Sequence, residues 1–106
     1  MKAEANEGLP RLFVVIRTRG NAWRPDLPLE SQPQWEAHAA FMDALAAEGF
    51  VILVGPLEGT QDALIIARAR NAQEIVVRME ADPWSPMDML RTTRIAPWQL
   101  RIGSLP

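Results

Sequence analysis

The side chain best suited to proton transfer near neutral pH is His38, the only histidine in the chain. It lies in the segment WEAHAAFMDAL, where apolar residues recur at helical spacing. At about 100° per residue, Trp35, His38, Met42 and Leu45 share one sector of a helix, so the imidazole is predicted to face inward. The residues alone leave two interpretations open, a core histidine bonded to a backbone carbonyl or a general base.

A carboxylate that could act on this histidine is Asp82, which follows a second predicted helix. A carboxylate bonded to one imidazole nitrogen fixes the tautomer and raises the basicity of the other nitrogen, as a general base requires. Asp-Pro is also a common turn starter, so a capping role for Asp82 stays open. For a site role we expect the two side chains to be within hydrogen-bond reach and partly solvated.

Two arginines could hold a substrate carboxylate near this pair, Arg17 and Arg19 at the end of the first predicted strand. Trp23 lies in the long loop 20–32, which has two prolines and no periodicity and is predicted to be a lid over a pocket. A Gly-Pro pair, Gly55 and Pro56, closes the second predicted strand.

The elements that must position these residues follow from periodicity and breakers. Strands are predicted over 11–19, 50–57, 62–69 and 89–103, the last bent or ended at Pro97. One helix is predicted from a Ser31/Gln34 capping box to about Glu48, with Gly49 closing it. Another helix is predicted from the Asn71/Glu74 capping pair to near Ala81.

The order βαββαβ is that of the ferredoxin-like α+β fold, with both helices on one face of an antiparallel sheet. In that topology the start of the first helix and the end of the second lie at the same end of the sheet, which brings His38 and Asp82 together. The strands are apolar on both alternating faces, and two helices cover only one of them. We therefore expect a homodimer packed sheet to sheet.

The length of 106 residues fits one domain, predicted over 11–102, between short tails at 1–10 and 103–106. The absence of cysteine excludes disulfides, a thiolate nucleophile and Cys-based zinc sites. A single histidine argues against a His-rich metal site, and no glycine-rich nucleotide motif is present, so no metal or cofactor is expected.

The net charge of -2 argues against nucleic acid as a partner. Ten of the eleven cationic residues are arginine, which leaves an anionic small molecule as a possible ligand. No apolar run approaches the roughly 20 residues of a membrane span, and the N-terminus lacks the apolar segment of a secretory signal. A membrane partner is therefore not expected, and a cytoplasmic location is.

The pieces RTRGNAW, WEAHAAFMDALAAEGF, VGPL, AQEIVVRMEADPW and APW, in this order over about residues 11–102, resemble the YciI-like proteins of the YCII-related domain family. The resemblance implies a dimeric α+β barrel in which His38 and Asp82 form an acid/base pair. Relatives with an activity resemble small-ring dehalogenating lyases or lactone isomerases. The second hairpin, EGTQDALI, departs from the glycine-rich turn of many relatives.

The expected function is thus a cofactor-independent small-molecule enzyme of lyase or isomerase type. In it His38 abstracts a proton next to a carbonyl or lactone and Asp82 orients the imidazole. The residues expected to contact substrate are Arg17, Arg19, Trp23, Gly55, Pro56 and Trp84. The alternatives are a non-catalytic small-ligand-binding dimer and an accessory subunit with a vestigial pocket.

Overall fold

The structure, a computed structural model, describes residues 9–106 of the chain. Its elements follow the predicted order of four strands and two helices. They are β1 (Arg11–Arg19), a 3-10 helix (Leu29–Ser31), α1 (Trp35–Ala47), β2 (Val51–Pro56), β3 (Asp62–Ala69), α2 (Ala72–Glu80) and β4 (Leu90–Pro97).

The four strands form one antiparallel sheet in the order β2-β3-β1-β4. The central strand β1 pairs along its length with β3 and β4, so that Val15 lies opposite Ile65 on one side and Ile95 on the other. This α+β arrangement is compatible with the ferredoxin-like fold predicted from the order of elements.

The core lies between the helices and one face of the sheet. Alternate residues of β1 point into it, beginning with Phe13 and Val15, because successive side chains of a strand face opposite ways. Leu45 of α1 and Ile75 and Met79 of α2 close over them. Full burial of each large apolar side chain contributes about 1.5–3 kcal/mol, so this face holds both helices on the sheet.

The predicted start of α1 is wrong by one turn. Ser31 lies in the 3-10 helix, and the residue that caps α1 is Gln34, in the left-handed conformation and without a side-chain capping bond. Pro33 disfavours a helical conformation of the residue before it, and Gln32 is accordingly extended (φ -66°, ψ 149°). The helix therefore begins after the proline, which places His38 in its first turn.

The predicted end of α1 and the predicted start of α2 agree with the structure, and β4 ends at Pro97, one of the two alternatives predicted for it. Gly49 has φ 84°, and the bonds from its N–H to Ala46 O and from Phe50 N–H to Leu45 O form a Schellman motif at the end of α1. Asn71 Oδ1 accepts from the backbone N–H of Glu74, which caps α2 as predicted. No helix in residues 9–106 is long and apolar enough to cross a membrane.

Candidate active site

His38 and Asp82 are in direct contact. The imidazole Nδ1 lies 3.0 Å from Asp82 Oδ1 and 2.9 Å from Oδ2, so the contact expected from the sequence is present. Because a carboxylate accepts, Nδ1 carries the hydrogen, and Nε2 of the neutral imidazole holds the lone pair. Within residues 9–106 no hydrogen bond engages Nε2, which leaves that nitrogen available as a base.

Asp82 itself is fully buried, which corrects the expectation of a partly solvated carboxylate. Its oxygens accept from Arg17 Nη1 at 2.7 Å and from the backbone N–H of Trp84 at 2.9 Å, in addition to His38. Burial alone would raise the pKa of Asp82, but the hydrogen bonds from His38, Trp84 and Arg17 together hold that pKa below its usual value of 3.8. The carboxylate therefore stays ionised at neutral pH.

The lowered pKa of Asp82 predicts a loss of stability in acid. A group whose pKa is lower in the folded protein stabilises it fully above the unfolded pKa, near 3.8, and loses that contribution as pH falls through the folded value. In urea unfolding between roughly pH 5 and pH 2, the wild type should therefore lose more stability than Asp82→Asn. Parallel pH dependences in the two proteins would contradict the assignment.

Arg17 occupies a different place from the one predicted. It shares the helix-facing side of β1 with Phe13 and Val15, so its side chain runs beneath the helices and is only 2% exposed. Burial lowers the pKa of Arg17, an effect that the hydrogen bond and charge of Asp82 partly offset. The guanidinium also donates to Ser85 Oγ at 2.9 Å. Arg17 is thus the partner of Asp82 and does not line the cavity that His38 lines.

That cavity, which we call the histidine cavity, has a volume of about 430 Å³. It lies between α1, the neighbouring ends of β2 and β3, and the loop after β1. The structure brings together at its wall six of the eight predicted site residues, namely His38, Arg19, Trp23, Gly55, Pro56 and Trp84. Asp82 lies behind the imidazole and away from the wall.

Trp84 holds the imidazole in place. Its indole stacks on His38 with ring centroids 3.9 Å apart and an angle of 8° between the planes. The indole Nε1 donates to Pro33 O at 2.7 Å, which ties the stack to the start of α1. Trp84 is buried and positions His38 from beneath, and its contact with substrate stays a prediction.

The loop over residues 20–32 forms one wall of the histidine cavity. Gln32, only 3% exposed, binds the loop internally, since its side-chain amide donates to Arg24 O and Leu27 O and accepts from the N–H of Arg24. Trp23 packs edge-on against Trp84, with the ring centroids 5.7 Å apart. The loop is therefore an ordered wall, and its opening as a lid stays a prediction.

Binding in the histidine cavity should be visible in tryptophan fluorescence through Trp23. This ring lies at the wall beside Trp84, with the guanidinium of Arg19 4.5 Å from its centroid, so a bound ligand changes its surroundings. We expect Trp23→Phe to reduce the ligand-dependent change, with Trp35 and Trp84 of the same wall giving the remainder, and Trp98→Phe, outside the cavity, to keep it in full. An unchanged response in Trp23→Phe would exclude Trp23 from the binding wall.

Sequence reasoning missed several residues of this wall. Trp35 and Met42 share the inward sector of α1 with His38, so helical periodicity already carried the signal for them. Asp62 lies at the wall because the register of β1 and β3 pairs it with Thr18. The sequence does not specify this register. Asp43 also lines the cavity, so among residues 9–106 its lining contains two aspartates and one arginine, Arg19.

The comparisons with known proteins leave the site to be interpreted from its own geometry. No family model matches the chain, and a search of curated proteins finds no match. Within residues 9–106, no group of three or more His, Asp or Glu side chains is placed to hold a metal ion. The chemistry that the described residues offer is that of the imidazole and its buried carboxylate.

Proposed function

We propose that the protein is a YciI-like, cofactor-independent enzyme of lyase or isomerase type that uses His38 as a general base. One observation carries the proposal: Nδ1 of His38 is bonded to a buried carboxylate, while the imidazole forms part of the wall of a cavity large enough for a small molecule. This combination gives a base of fixed tautomer next to space for a substrate.

In the proposed reaction, Nε2 of His38 removes a proton from the carbon next to a carbonyl or lactone group. The electron pair of the broken C–H bond moves toward the carbonyl, and the imidazolium that forms is stabilised by Asp82. Return of the proton to another atom of the substrate gives an isomerase. Expulsion of a leaving group from the neighbouring carbon gives a lyase, with the proton kept on His38 until release.

The walls of the histidine cavity favour a small ring-shaped substrate with one negative charge. Trp23, Trp35 and Met42 offer apolar and aromatic surface on which a flat ring can pack. Among residues 9–106, Arg19 is the one arginine of this lining and can bind a carboxylate, whereas Asp43 and Asp62 repel further negative charge. A monoanionic lactone or cyclic keto acid has this combination of shape and charge.

Proton abstraction can be tested before the natural substrate is identified. Purified protein is incubated in D₂O with a panel of lactones and keto acids, and loss of the ¹H NMR signal next to the carbonyl is followed. We expect enzyme-dependent exchange or conversion for at least one cyclic monoanion. If members of the panel bind and none of them undergoes exchange or conversion, the result would contradict the catalytic proposal.

A second candidate is a non-catalytic small-ligand-binding domain, and the bond between Arg17 and Asp82 favours it. At 2.7 Å this bond is shorter than those from His38, so part of the carboxylate's charge is already neutralised. A buried ion pair of this kind also occurs as a structural element. Binding with neither exchange nor turnover in the panel would select this candidate.

We propose further that two copies of the chain pack sheet to sheet, as in a dimeric α+β barrel. The face of the sheet opposite the helices carries apolar side chains, Leu12, Val14 and Ile16 from β1 and Leu64 and Ile66 from β3. Leu53 of β2, opposite Ile66 in the pairing, is 45% exposed. An apolar face of this extent is typical of an interface.

Light scattering should therefore give the molar mass of a dimer at micromolar concentration. The interface is expected to bury well over roughly 1,000 Å² in total. Ile16→Lys places a charge in the centre of the proposed interface and should give monomers. Val77→Lys, which adds the same charge on the exposed side of α2, should leave the dimer intact. A wild-type monomer would contradict the barrel.

A further inference from the structure

A second cavity, of about 460 Å³, lies beside β4 on the other side of Arg17. We call it the β4 cavity. It is lined by residues of α2, of the turn after α2 and of β4, and it shares only Leu90 with the lining of the histidine cavity. Arg17 belongs to its wall, so the buried Arg17–Asp82 pair separates the two cavities.

The guanidinium of Arg17 has one donor without a partner. Within residues 9–106, its Nε is the buried side-chain atom that makes no hydrogen bond. Both N–H groups of Nη2 have acceptors, so Nε–H is the one donor of this guanidinium that is left for a ligand. The two acceptors of Nη2, Ser85 Oγ and Leu90 O, belong to residues that line the β4 cavity. Arg17 is itself a lining residue, so its unpaired donor lies behind the wall of this cavity.

The charges around the β4 cavity also favour an anion. In the part of the chain that the structure describes, its lining has three arginines, Arg17, Arg91 and Arg94, and one carboxylate, that of Glu80. Arg91 is held by Asp88 at 2.7 Å, whereas Arg94 makes no ion pair with any residue from 9 to 106. The histidine cavity has the opposite balance, with one arginine and two aspartates. The three arginines of the β4 cavity are thus separate from Arg19, the arginine that lines the histidine cavity.

We propose that the β4 cavity is a separate binding site for a small oxyanion, a carboxylate or a phosphate. The Nε–H of Arg17 is its buried donor, and Arg94 binds the ligand from the outer side. An unpaired buried donor costs free energy, and an oxyanion oxygen supplies the missing acceptor. Because the same guanidinium donates to Asp82, the bound anion acts on the Asp82–His38 pair through Arg17.

The arginine Nε–H signals in ¹⁵N NMR test this site directly. Tag-free protein is titrated with inorganic phosphate and, separately, with succinate, at constant ionic strength kept with chloride. We expect a saturable shift of the Arg17 Nε–H signal with at least one probe, and a smaller shift of the single histidine. Saturation by phosphate alone or by succinate alone identifies which oxyanion the site takes.

Matched variants separate a site from general charge attraction. Arg94→Gln should weaken binding about tenfold, whereas Arg70→Gln removes the same charge from an exposed position after β3, outside both cavities, and should leave the affinity unchanged. His38→Asn should still bind the anion, since His38 does not line this cavity. The proposal is overturned if neither probe shifts the Arg17 signal at tens of millimolar, or if both arginine variants weaken binding equally.

Discussion

Replacement of Asp82 by asparagine is expected to cost about 3–5 kcal/mol of the free energy of unfolding, because it leaves the Arg17 guanidinium buried without a counter-charge. Asparagine keeps the shape and an oxygen for the N–H of Trp84, so the loss measures charge more than packing. A protein of this size has about 5–15 kcal/mol of stability in all. The variant should therefore unfold at a much lower urea concentration.

An exposed ion pair gives the matched control for this measurement. Glu48 binds Arg78 at 2.6 Å on the surface, and Glu48→Gln should cost no more than about 1 kcal/mol. In addition, Arg17→Met combined with Asp82→Asn should be more stable than Asp82→Asn alone, since the unpaired charge is then gone. A loss in Asp82→Asn no larger than in Glu48→Gln would show that the pair is not buried as described.

The expected cost of Asp82→Asn is larger than the cost for the partly solvated carboxylate that was predicted from the sequence. The reason is the buried Arg17. The alternation of β1 already places Arg17 on the same side as Phe13 and Val15, so its burial could have been predicted. Its partner could not, because Asp82 is 65 residues away and the bond depends on how α2 ends over the sheet. Sequence reasoning therefore assigned Arg17 to substrate and left the carboxylate partly solvated.

The contact between His38 and Asp82, in contrast, could be predicted from the sequence. It depends on the order of elements and on the inward sector of α1, which are set by local periodicity and chain topology. Finer features depend on particular contacts. Because of Pro33, α1 begins only at Trp35, and the β1–β3 register brings Asp62 to the cavity wall. Neither the exact helix start nor the register follows from an apolar pattern alone.

The role of His38 is tested most sharply by His38→Asn. The asparagine side-chain amide can donate to Asp82 from near the position of Nδ1, but it has no group where Nε2 stands. We therefore expect turnover, or deuterium exchange of a substrate found in the panel, to fall on the order of 10²–10⁴-fold. The stability change should be about 1 kcal/mol, because Asp82 keeps Arg17 and the N–H of Trp84 as partners.

The two interpretations of His38 predict different pairs of results for His38→Asn and His38→Ala. If His38 were only structural, asparagine would restore the bond to Asp82 and with it most of the function, while alanine would cost nearer 2–3 kcal/mol. If His38 is the base, both variants lose turnover together, although their stabilities differ.

Diethyl pyrocarbonate gives an independent measurement, since the chain has a single histidine and one modified imidazole should abolish turnover. Normal turnover in His38→Asn would exclude general-base catalysis by this residue, because no other imidazole exists in the chain to replace it.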